Sequence, residues 1–104
     1  MSRGPDAATL IERALVAHGE AAGCAVAIVQ ADMVRWASAT FVGARHLVTL
    51  SARASPLLDK WLAGLPKAEF GLRGHLVADL VVVRTARDGD AVTLSLEILT
   101  VEAR

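Results

Sequence analysis

From position 6 to about position 20 the apolar residues recur three and four apart: Leu10, Ile11, Ala14 and Leu15, continued by Ala22, with Glu12, Arg13 and Glu20 mostly off that stripe. The period predicts an amphipathic helix. Asp6 stands where an N-cap side chain accepts the free amides of the first turn, and Gly19 or Gly23 supplies the stop. Residues 24–29, Cys-Ala-Val-Ala-Ile-Val, replace that period by a continuous, partly β-branched run bounded by Gly23 and by Gln30-Ala-Asp32. This predicts a short buried strand. Residues 34–41 and 46–52 read as two further strands, joined across 42–45, where Gly43 can take the positive φ of a tight reversal.

Ser55-Pro56 predicts a second helix start, because a serine hydroxyl caps free amides and a proline in the first turn has no N–H to leave unpaired. Leu57, Leu58, Trp61, Leu62 and Leu65 then share one face, Gly64 and Pro66 end the helix, and residues 67–74 form a loop. Residues 75–87 and 90–102 flank Asp88-Gly89, a dipeptide suited to a type I′ turn, and predict a long hairpin. With those two residues as the loop, Val83 faces Leu94, Val81 faces Leu96 and Asp79 faces Ile98. One face then carries Val77, Val81, Val83, Leu94, Leu96 and Ile98, and the other Val82, Arg84, Thr93, Ser95 and Glu97. The order of elements predicts an α+β fold, an antiparallel-rich sheet of four to five strands with two helices packed on one face.

Composition narrows the picture. A chain of 104 residues suits one core, so residues 1–104 are expected to form a single α+β domain. Apolar residues are 54% and charged residues 21%, far from the make-up of a disordered chain. That apolar share is high for a small interior, which points to surface covered by other subunits. Lys plus Arg equals Asp plus Glu at 11 each, leaving no positive excess for a phosphate backbone. Cys24 is the single cysteine and reads as a buried small hydrophobe in a reducing compartment. The opening Met-Ser-Arg-Gly-Pro-Asp lacks the apolar run of a signal peptide, and the longest apolar stretch, about 21–29, is too short to span a bilayer. A soluble, cytoplasmic origin without membrane contact is expected.

Candidate chemistry is sparse. Cys24, His46 and His75 are the atom types of a thiol–imidazole pair or a zinc site, but no two ligand types stand at ligand spacing, so both histidines read as half-exposed residues opening strands. His75 and Asp79 share a strand face, but at about 3.3 Å per residue they stand roughly 13 Å apart, beyond hydrogen-bond reach. Neither a phosphate-cradling glycine loop nor Gly-x-Ser-x-Gly occurs. No catalytic residue, metal ligand or cofactor is therefore expected. Trp61, on a helical apolar stripe, reads as core, while Trp36 suits either a strand or an interface.

The stretch Trp36-Ala-Ser-Ala-Thr-Phe-Val-Gly-Ala-Arg-His-Leu-Val-Thr-Leu-Ser resembles the central part of the tail-terminator, or tail-completion, proteins of siphophages and gene transfer agents. Gly74-His-Leu-Val-Ala-Asp-Leu, Arg84-Thr-Ala-Arg-Asp-Gly-Asp and Leu96-Glu-Ile-Leu-Thr-Val-Glu look like that family's closing hairpin, so about two-thirds of the chain takes part. The resemblance implies a non-catalytic homo-oligomer, a ring at the end of the tail tube that joins it to the head. Its partners would be tail-tube and head-completion proteins, and its location the bacterial cytoplasm during assembly and then the particle. Trp36, Phe41 and Arg45, which flank the expected first reversal and are of types enriched at interface cores, are the candidate oligomer contacts. A small dimeric bacterial ligand-binding or regulatory domain, its sheet covering an apolar pocket, is the alternative.

Overall fold

The structure, a computed structural model, describes residues 6–103. Helix α1 (Ala7–Ala21) begins as expected, with the Asp6 carboxylate accepting from the Thr9 amide at 2.9 Å. It ends on Gly23 at φ +83°, where the Cys24 amide reaches back to the Gly19 carbonyl at 2.8 Å and the Gly23 amide to that of Glu20 at 3.0 Å. Paired closing bonds of this kind need a left-handed residue after the helix, and glycine takes that conformation without a Cβ clash. Helix α2 (Pro56–Gly64) likewise starts on Ser55, whose Oγ accepts from the Leu58 amide at 3.0 Å, and runs into a 3-10 turn at Leu65–Lys67.

Four strands, β1 (Val26–Ala37), β2 (Val42–Arg53), β3 (His75–Asp88) and β4 (Ala91–Glu102), form one sheet in the order β1-β2-β4-β3 with every neighbouring pair antiparallel. Ile11 and Leu15 of α1, Leu58 and Trp61 of α2 and Leu65 of the 3-10 turn pack with Val26, Val48, Leu50, Leu80, Val92, Leu94, Leu96 and Ile98 in one cluster. Both helices thus lie on one face of an α+β sheet. Each fully buried Leu or Ile there contributes about 1.5–3 kcal/mol.

The strands depart from the expected boundaries for one recurring reason, the β-bulge. Residues 24–29 and 34–41 are not separate strands: β1 runs through Gln30, Ala31 and Asp32, because the register slips between Ile28 and Gln30. Val29 is the extra residue, so Ile28 and Ala31 fall on the same face although three apart, and the strict alternation that would have revealed one strand is broken. The first reversal lies at 38–41 rather than 42–45. Ser38 organises it, its amide donating to the Phe41 carbonyl at 2.7 Å and its Oγ accepting from the Phe41 amide at 3.0 Å. Serine supplies through a side-chain bond what glycine was expected to supply through φ.

In the second hairpin the turn lies one residue later than expected. Asp88 pairs with Ala91, leaving Gly89 and Asp90 as the loop, with Gly89 at φ +60° and no positive φ at Asp90. A glycine in the first central position alone matches a type II′ reversal, not type I′. Register shifts at Ala78 and Val83 then move the faces: Val77, Leu80 and Val82 turn to the helices with Leu94, Leu96 and Ile98, while Val81 and Val83 are exposed. Two bulges in one strand defeat a face assignment made by counting twos.

Candidate functional site

The chemistry-bearing side chains are scattered or sealed. His46 does not open a strand half-exposed. It lies within β2 on the covered face, 1% exposed, with Nε2 at 2.9 Å from Thr100 Oγ1. The Thr100 hydroxyl faces the Ala44 carbonyl at 3.5 Å, so a proton on His46 Nε2 satisfies the trio. Burial holds the imidazole below its ordinary pKa, the neighbouring His75 adds to that, and the Asp6 carboxylate partly opposes it. His46 is therefore neutral, a buried polar residue beside its cross-strand partner Ile98 rather than a base open to substrate. Cys24 is buried at the α1–β1 junction, its thiol 3.9 Å from the Ala22 carbonyl. Cys24 precedes β1, and Met33, the cross-strand partner of His46, lies seven residues beyond the first residue of that strand, Val26, roughly 20 Å along it. Among the described residues no three His, Cys, Asp or Glu side chains are grouped to hold a metal ion. None of their helices is long and apolar enough to cross a membrane.

Trp61 is core, 5% exposed, and its indole N–H donates to His18 Nδ1 at 2.8 Å, while the His18 ring lies 5.0 Å from that of Phe70. A groove of about 440 Å³ runs beside this cluster between α1 and α2, bordered by Ala22, Leu57 and Lys60. Sequence spacing did not connect His18 with Trp61, which are 43 positions apart.

The three candidate contact residues lie toward one end of the molecule. Trp36 pairs with Gly43 across β1 and β2 on the face that carries no helix, and Arg45 stands one pair further along that face opposite Val34. Phe41 closes the intervening reversal and is 52% exposed. Gly43 is required here for closeness, not for φ: a Cβ would collide with the Thr100 carbonyl oxygen and stand 2.6 Å from the Trp36 ring. With no side chain at Gly43, the indole packs close against the backbone of β2, and its Nε1 is buried without a partner among the described residues. Arg45 extends across the face to Glu97 at 3.5 Å, both ends wet.

Around this pair the open face is mixed. Leu47 and Val81 keep about half their surface exposed and Val34 two-thirds, beside Thr49, Ser95 and Asp32. This apolar surface was not located by sequence, because the bulges at Val29, Ala78 and Val83 decide which valines face outward. The outer edges of β1 and β3 also have no strand against them among the described residues.

No protein-family model matches the chain, and no curated protein matches it in sequence. Among solved structures it is similar to a chain of the virion of a native gene transfer agent particle, at 16% identity and a TM-score of 0.47 over 99% of this chain and 75% of that one.

Proposed function

We propose that the protein is a structural, non-enzymatic subunit of a phage-like particle, a ring-forming tail terminator or completion protein at the junction of head and tail. The observation that carries this reading is the sheet itself, with two long edge strands and an uncovered face that exposes Val34, Leu47, Val81 and Val83. Unpaired edges and exposed apolar side chains favour contact with protein. The burial of Cys24 and His46, away from solvent, supports a role without catalysis. The particular assembly comes from the resemblance of residues 36–51, 74–80, 84–90 and 96–102 to the terminator family. In this reading Trp36, Phe41 and Arg45 border the contact, and tail-tube and head-completion proteins are the further partners.

The test is the size of the purified chain by mass photometry, together with negative-stain microscopy. Discrete closed rings are expected. A chain that stays monomeric at high concentration and with tail-tube protein present would displace this reading. The groove beside Trp61 would then make small-ligand binding the better account.

A further inference from the structure

The two outer strands of this sheet run in opposite directions, because there are four strands and every neighbouring pair is antiparallel. A second copy laid beside the first in the same orientation therefore brings its β3 antiparallel to the first copy's β1. The ladder continues without a change of polarity. One contact, repeated, covers both edges, and a repeated head-to-tail contact closes into a ring when the rotation allows it.

The side chains narrow the register. On the open face, β1 presents Asp32, Val34 and Trp36, which pair with Leu47, Arg45 and Gly43 of β2. On the same face β3 presents Arg84, Val81 and Asp79, which pair with Ser95, Glu97 and Leu99 of β4. The bulge at Val83 makes Arg84 and Val81 consecutive members of that face although three positions apart. An antiparallel pairing that sets Val34 against Val81 thus also sets Asp32 against Arg84. On the helix side the same pairing brings Met33 to Val82. Val34 is 66% and Val81 46% exposed in the single chain, and neither Asp32 nor Arg84 forms an ion pair among the described residues. Opposite charges and exposed apolar side chains are thereby matched across one contact.

We propose that copies of this chain join head to tail through β1 of one and β3 of the next, with Val34 against Val81 and Asp32 against Arg84. The proposal rests on the ring-subunit reading and names its contact. Joining β3 to β3 about a two-fold axis would set Arg84 against Asp79 twice, but it ends at a dimer and leaves the β1 edge uncovered.

The experiment compares the wild-type chain with D32R, R84D and the double variant D32R/R84D by mass photometry, with melting curves to confirm folding. Each single variant places like charges in every contact and is expected to raise the concentration needed for assembly at least tenfold. The double variant restores assembly. An equimolar mixture of the two single variants also assembles, in rings with an even number of copies, because each contact in an alternating ring joins opposite charges. Wild-type rings that neither single variant weakens would overturn this contact and leave the ring reading standing. Loss with R84D, none with D32R, and rescue of R84D by D79R would overturn it in favour of the two-fold dimer. A monomeric wild type would remove the ring reading and this contact together.

Discussion

The two faces of the sheet are made by the same four strands and hold their apolar residues differently. Toward the helices, Leu50, Leu94 and Ile98 are fully buried, and Val48 and Leu96 nearly so. Toward solvent, Leu47, between His46 and Val48 in the same strand, keeps 48% of its surface exposed. Burial fixes the register of the covered face, since a slip of one residue would turn every core side chain outward. The open face is carried along by that register. Its apolar residues add little to the folded monomer and remain available to a neighbour.

The largest effect tests this division directly. Leu94→Ala removes a fully buried side chain from the centre of the covered face and should cost about 2–5 kcal/mol. Val81→Ser, on the outer strand and the open face, should change the monomer by no more than about 0.5 kcal/mol. Urea denaturation of both variants measures the contrast. A Val81→Ser cost approaching that of Leu94→Ala would mean that the open face is covered in the isolated chain.

The same division explains what the sequence made legible. Helix ends depend on local chemistry, and Asp6, Gly23, Ser55 and Pro56 carry theirs in neighbouring residues, so both helices and their packing face follow from the pattern. Leu94, Leu96 and Ile98 alternate through a strand without a bulge and point inward as expected. Bulges are set by the partner strand, not by the bulged residue. Val29, Ala78 and Val83 therefore hid the continuity of β1 and the true faces of β3. His46 misled for a related reason: its position near the expected start of a strand said nothing of Thr100, 54 residues away, which satisfies it. Trp36, Phe41 and Arg45 stand out in the sequence by residue type and by flanking the expected reversal, which carries nothing of how the three are arranged on the sheet. Gly43 lies in β2 rather than in a reversal, and its missing side chain lets the Trp36 indole approach.

A second, intermediate effect concerns the polar pair within the covered face. His46 has a pKa below its ordinary 6.5 when folded, chiefly through burial. The unfolded chain therefore takes up a proton near pH 6.5 that the folded chain resists. Stability is complete above that pH and falls as the pH drops toward the folded value, by at most about 1.4 kcal/mol per unit. The facing groups are His75, which adds to the depression, and Asp6, which opposes it. Asp6 itself sits below its ordinary 3.8, held there by the Thr9 amide, so its own contribution is lost only in a lower window. Melting curves between pH 7.5 and 5 should show the decline in the wild type and a flatter response in His46→Gln. Equal slopes would mean that His46 is not the group that titrates.

The smallest effect lies on the open face and is informative because it should be small. Arg45 and Glu97 approach to 3.5 Å across β2 and β4, with side chains 60% and 42% exposed. Water and salt screen such a pair, and holding two long side chains in one geometry costs entropy, so its coupling in the monomer should stay below about 0.5 kcal/mol. A double-mutant cycle of R45Q and E97Q, run on monomeric protein at physiological salt, measures it. A coupling above about 1 kcal/mol would mean that the pair is shielded in the free chain, and the contrast between the two faces would fail at its centre. A small value leaves the open face held in place by the core beneath it, with its charges and valines solvated in the free chain.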